Sequence, residues 1–105
     1  MKLDQKQGTG INDIFGISGS YKLNQNYPNP FNPTTTIKYD IPERSFVTIK
    51  VYDVLGNEIA TLINEEKPAG SYEFEFDSNG LTSGVYFYTL STGNFLATKK
   101  MVLLR

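Results

Sequence analysis

The 105-residue sequence contains no histidine, no cysteine and no tryptophan. Each absence closes a class of chemistry. Without cysteine there are no disulfides and no thiol reactions, so redox logic says nothing about compartment. Without histidine, serine and threonine lose their usual base, and no Ser-x-x-Lys spacing offers a lysine instead. A zinc site lacks both of its commonest ligand types. There is no basic excess: ten Lys and Arg face eleven Asp and Glu, a net charge of -1. That argues against nucleic acid as the main partner. No apolar run approaches the roughly 18 residues of a membrane span. The stretch from Met1 to Gly8 has no apolar centre and is not a secretory signal. Glycine-rich phosphate loops are also missing, so no cofactor is implied.

Seven Tyr, seven Phe, nine Gly and five Pro remain to be explained. They point to an all-β chain with many turns. Residues 1–20 hold four of the glycines among scattered polar residues and read as a flexible linker. Their apolar cluster, Ile11, Ile14, Phe15 and Ile17, is a candidate for docking on the domain, and residues 12–15 for a single helical turn. The domain proper is residues 21–105. Pro28, Pro30 and Pro33 forbid a central strand over 21–33. They suit an edge strand or an extended cover anchored by Leu23, Tyr27 and Phe31.

Beyond this the periodicity of two takes over. In the strand from Thr34 to Ile41, alternation puts Ile37, Tyr39 and Ile41 inward. From Phe46 to Val54 it puts Val47, Ile49 and Val51 inward and Thr48, Lys50 and Tyr52 outward. A hairpin turn at 55–58 leads to a shorter strand, Ile59 to Ile63, of undecided facing. Residues 64–70 carry Glu65, Glu66, Lys67 and Pro68 and read as a solvated loop. From Ser71 to Ser78, Tyr72, Phe74 and Phe76 face in while Glu73, Glu75 and Asp77 face water. The last hairpin turns at Thr92-Gly93-Asn94, where Gly-Asn is a dipeptide signal for tight turns. Leu81-x-x-Gly84-x-Tyr86 has the form of a tyrosine corner, in which a phenol bonds backbone a few residues upstream. This sends Tyr86, Tyr88 and Leu90 inward and leaves Val85 and Phe87 to be covered. In the last strand either Ala97, Lys99, Met101 and Leu103 or the intervening Thr98, Lys100, Val102 and Leu104 form the inner face. About seven short antiparallel strands with turn signals every eight to twelve residues predict an immunoglobulin-like β-sandwich.

Few side chains suggest chemistry. Glu73 and Glu75 read as a solvated strand face rather than an acid–base pair, and Glu65-Glu66 as loop charges. Asp77, Ser78 and Asn79 are too few for a calcium loop. No catalytic or metal-binding residue is assigned, and the chain is not expected to be an enzyme. Lys99, Lys100 and Arg105 form a small basic group. It is either a charged strand face that discourages edge pairing or a handle for a partner.

Several stretches resemble one family. The run Asn-Tyr-Pro-Asn-Pro-Phe-Asn-Pro-Thr-Thr-Thr-Ile-Lys-Tyr from Asn26 to Tyr39 is similar to the opening motif of the type A C-terminal sorting domains of the type IX secretion system. Val51 to Glu58, Gly84-Val85-Tyr86 and the closing Lys99 to Arg105 follow the same pattern. The pattern also resembles the immunoglobulin-like domain of flagellar hook-capping proteins. The resemblance covers residue 21 to the end. It implies a non-catalytic signal that directs an upstream passenger domain, by way of the periplasm, to the cell surface or medium. The partners it implies are the outer-membrane secretion machinery and a sortase-like protease that cuts ahead of Tyr21. The passenger is then released or exchanged onto an anionic lipopolysaccharide anchor. Gly84, Tyr86, Lys99, Lys100 and Arg105 are the positions that match the family's recognition motifs. The chain then reads as the C-terminal part of a larger exported protein. The competing expectation is a structural or adhesive module that binds protein or glycan through Tyr52 and Phe87.

Overall fold

The computed structural model describes residues 19–105. The expected linker's apolar cluster and its single helical turn lie outside the described residues. Seven strands follow in order: β1 (Lys22–Leu23), β2 (Thr34–Ile41), β3 (Ser45–Tyr52), β4 (Glu58–Lys67), β5 (Gly70–Asp77), β6 (Gly84–Ser91) and β7 (Leu96–Leu103). They pair into two antiparallel sheets, β1-β2-β5 and β4-β3-β6-β7, with no helix among the described residues. The molecule is the β-sandwich that the strand spacing predicts.

The alternation of apolar residues decides which faces meet. Ile37, Tyr39 and Ile41 from β2 pack against Val47, Ile49 and Val51 from β3 and Tyr86, Tyr88 and Leu90 from β6. All three sets face as expected. Each fully buried Val, Leu or Ile contributes roughly 1.5–3 kcal/mol relative to exposure. On β5 only Phe76 is buried; Tyr72 and Phe74 are half-buried, because β5 is the outer strand of its sheet. Tyr39 stacks on Tyr72 at 5.3 Å between ring centroids. Burial, with Tyr72 and Glu65 adding, pushes the Tyr39 hydroxyl up to about 12. Burial does the same to Tyr88.

Three expectations need correction or completion. Residues 64–70 are not a loop. Strand β4 continues to Lys67, with Glu65 opposite Val47 and Glu66 opposite Phe46. The charges are compatible with an edge strand because they find partners there. Lys67 lies 3.1 Å from Glu65 and its ammonium sits 4.8 Å from the Tyr72 ring centre. Secondly, the facing of β4 resists an alternation argument because the strand is irregular. Its register against β3 shifts between Ile49 and Lys50 and again between Val51 and Tyr52. Each extra residue resets the period of two. Ile59 and Ala60 are both half-buried, as are Leu62 and Ile63. Thirdly, Tyr27 is not an anchor: it is 81% exposed. Asn26 is buried in its place and donates to the Thr35 hydroxyl at 2.9 Å and the Pro28 carbonyl at 3.1 Å.

The proline-rich stretch closes one side of the sandwich by bonding to both sheets. Toward β2, the Asn24 amide reaches the Lys38 carbonyl, and Tyr27 and Thr36 exchange backbone bonds. Toward β7, the Phe31 amide bonds the Val102 carbonyl and the Leu104 amide bonds the Phe31 carbonyl. Proline's missing donors are tolerated because the strap needs only intermittent bonds. Leu23 and Phe31 supply its buried contacts, as expected.

Candidate functional site: the C-terminal strand

The last strand is built into the core. Met101 and Leu103 are fully buried, which settles the register: Ala97, Lys99, Met101 and Leu103 share the inner side. Strand β6 flanks it along its whole length, from Ser91 opposite Leu96 to Gly84 opposite Leu103. The strap flanks the C-terminal half of its other edge. Gln25 donates to the Lys100 carbonyl at 2.6 Å, and Asn29 accepts from the Val102 amide at 2.9 Å.

The tyrosine corner is present. The Tyr86 hydroxyl donates to the Thr82 carbonyl at 2.7 Å, four residues upstream. Gly84 starts the strand at a φ of +155°, where a side chain is strained although nothing lies within 4 Å of its missing Cβ. Gly84 and Tyr86 therefore fix how β6 enters the sheet. Tyr86 itself is buried.

The three basic residues do not gather into one cluster. Lys99 is half-buried on the inner side, beside Tyr88 in the register. Lys100 is exposed on the outer side, opposite Phe87. Neither forms an ion pair with an acid among the described residues. Arg105 folds back on the chain instead. Its Nε donates to the Leu81 carbonyl at 2.8 Å and an Nη to the Ser78 carbonyl at 2.9 Å. Its backbone amide donates to the Ser83 hydroxyl at 2.8 Å. Arg105 thus clasps the turn that precedes the tyrosine corner.

On the outer face of the four-stranded sheet, the register lines residues up in rows. Glu58, Tyr52, Phe87 and Lys100 form one row across β4, β3, β6 and β7. Val85 and Val102 are paired in the next. Phe87 and Val85, which the alternation leaves facing outward, are thus half-covered by these neighbours. Lys50 bonds Glu58 at 3.1 Å, which raises the lysine's pKa and lowers the glutamate's.

The two ends of the described sandwich, Tyr21 and Arg105, lie at opposite poles. At one pole the Tyr21 ring stacks on Phe95 at 5.2 Å, and its hydroxyl is 2.9 Å from that of Ser45. At the other pole lie the Gly84–Leu103 pair, Arg105 and the turn between β3 and β4. Sequence reasoning missed Gln25, Asn26 and Asn29, which tie the strap to itself and to β7. Their signal is visible only as amide side chains ahead of Pro28 and between Pro28 and Pro30, and side-chain bonds of that kind follow no period.

Among the described residues, no group of three or more carboxylates is placed to hold a metal. Asp77 spends both carboxylate oxygens on Asn79. A family model described as a secretion system C-terminal sorting domain matches residues 25–104. No curated protein matches the chain. The matched span opens at Gln25, the strap's first bond to the last strand, and closes at Leu104.

Proposed function

The chain belongs to the secretion system C-terminal sorting domains, and from that premise we propose that the β-sandwich is an address tag read at one pole and joined to its passenger at the other. The family is a sorting signal and not a catalytic one, and its members are parts of exported proteins. In this reading the passenger precedes Tyr21. A sortase-like protease cuts in the segment ahead of that residue, where the exposed Gly19 and Ser20 lead into the body. The route runs through the periplasm to the outer-membrane machinery. Lys100 and the half-buried Lys99 are the charges the machinery meets. Gly84, Tyr86 and Arg105 act by holding the strand in place.

One observation carries this proposal. Lys100 is exposed and without an acidic partner among the described residues, on a strand otherwise bonded along its C-terminal half. The test fuses the whole chain behind a periplasmically exported reporter in a host that has the type IX machinery. The intact fusion is expected outside the cell. Lys99→Glu with Lys100→Glu is expected to leave a folded fusion in the periplasm. Retention of the unaltered, folded fusion in the periplasm refutes the tag. Export of the double variant at the unaltered rate refutes the role of the two lysines.

A further inference from the structure

The turn between β3 and β4 has a feature that folding does not require. Five hydrogen bonds shape it. The Asp53 amide donates to the Asn57 carbonyl and the Asp53 carbonyl accepts from the Gly56 amide, each at 3.0 Å. One Asp53 carboxylate oxygen accepts from the Leu55 and Asn57 amides, each at 2.9 Å. The other accepts from the Asn57 side chain at 3.2 Å. Gly56, at a φ of +87°, completes the reversal that a side chain resists. Bonds to Asn57 and to the Leu55 and Gly56 amides hold the Asp53 carboxyl below its ordinary range, so it stays ionised. These bonds use the side chains of Asp53 and Asn57 and the backbone of the rest. The side chains of Val54 and Leu55 take no part. They are 65% and 83% exposed, outside the core cluster. Turn positions of this kind are ordinarily polar.

We propose that Val54 and Leu55 form a preorganised apolar knob that inserts into an apolar-floored pocket on a protein of the outer-membrane secretion machinery. This rests on the sorting reading above. A rigid convex tip loses little conformational freedom on docking, which favours affinity. Apolar anchors that enter a pocket are typical centres of binding energy. The register puts the knob at the pole shared by the C-terminal end of β7 and Arg105, so one partner surface can meet both. A second copy of the chain is a poor receptor. Two open depressions, one on each sheet face, carry polar side chains such as Asn24, Lys38 and Glu73, or Thr48, Thr89 and Thr98, that a docked apolar tip would desolvate. A lipid surface is also disfavoured. The ionised Asp53 adjoins the tip and Glu58 follows it, and both are repelled by anionic headgroups.

The test uses the full chain with outer-membrane vesicles, opened so that their periplasmic face is exposed, from a type IX-competent strain and from a strain lacking the translocon. Binding is read by co-sedimentation. The unaltered chain is expected to bind only the competent vesicles. Leu55→Ser is expected to weaken binding about tenfold or more, as loss of one buried leucine anchor implies, with an unchanged melting temperature. Tyr27→Ser removes an equally exposed ring elsewhere and is expected to bind as the unaltered chain does. Leu55→Ser binding at full strength overturns the knob and leaves the sorting reading standing. Equal losses for Tyr27→Ser and Leu55→Ser overturn it as unspecific adhesion. Equal binding to both vesicle types assigns the contact to lipid and overturns it. Absence of binding to either type overturns the sorting reading and the knob with it.

Discussion

Deleting residues 99–105 is expected to destroy the domain rather than merely remove a signal. The deletion takes away Met101 and Leu103, both fully buried. Truncating a buried Leu or Met to Ala costs about 2–5 kcal/mol, so losing both side chains costs about 4–10 kcal/mol. Four bonds to the strap go as well: Phe31 amide to Val102 carbonyl, Leu104 amide to Phe31 carbonyl, Val102 amide to Asn29, and Gln25 to the Lys100 carbonyl. At about 1 kcal/mol each these add about 4 kcal/mol. The sum, about 8–14 kcal/mol, matches the whole stability of a typical domain, about 5–15 kcal/mol. Circular dichroism with heating is the assay. The truncated chain is expected to show no cooperative transition, whereas Lys99→Ala with Lys100→Ala should melt within a few degrees of the unaltered chain. A truncated chain that melts cooperatively within about 5 °C of the intact one would refute the reasoning, because that shift corresponds to only about 1 kcal/mol in a domain of this size. Export lost on truncation therefore reports on folding. Only the lysine substitutions separate signal from scaffold.

Two further outcomes follow from the buried tyrosines. Tyr39 and Tyr88 have hydroxyls raised to about 12 from an ordinary 10, so the folded state favours their neutral forms. That stability is complete below about pH 10 and is lost as the pH rises through 12; ultraviolet titration should show both ionising with unfolding, and native-state ionisation near 10 would contradict it. Tyr86→Phe removes the 2.7 Å bond to the Thr82 carbonyl, which costs about 1 kcal/mol and about 4–8 °C of melting temperature, while the reporter fusion is still exported below the melt; a loss of export with the fold intact would give Tyr86 a direct contact instead.

Where one face of a strand is apolar and the other polar, the sequence decides the structure. Ile37, Tyr39 and Ile41 alternate with Lys38 and Asp40, and no second register buries them. The tyrosine corner was equally legible, because Leu81, Gly84 and Tyr86 carry its geometry locally. Strand β7 was not, since both of its faces mix apolar and charged residues. Only the strap and β6 choose between them, by burying Met101 and Leu103. Strand β4 failed for another reason: its two register shifts belong to the pairing with β3 and leave no trace in its own composition. The basic group shows the same limit in the candidate site. Lys99, Lys100 and Arg105 are neighbours in sequence, but the pleat sends the lysines to opposite faces. The turn at Ser78 to Leu81 takes the arginine. The alternation of the lysines is already in the sequence; the arginine's place follows from tertiary bonds that a linear reading cannot supply.

The bonding of β7 also limits how a partner can read it. A strand with a free edge invites another chain to pair along its backbone. In the C-terminal half of β7 that route is closed on both sides. Strand β6 takes one edge from Gly84 to Ser91. Gln25, Asn29 and Phe31 take the Lys100 carbonyl, both backbone groups of Val102 and the Leu104 amide on the other. Backbone pairing there would have to displace the strap, and with it the buried Leu23 and Phe31. Side chains are the cheaper target: Lys100, Val102 and Leu104 on the outer face, with the Val54–Leu55 tip at the same pole. Recognition of that kind depends on the angle at which folded strands present their side chains. It follows that a partner reading this surface accepts the tag only once Tyr86, the strap and Arg105 have locked the last strand in place.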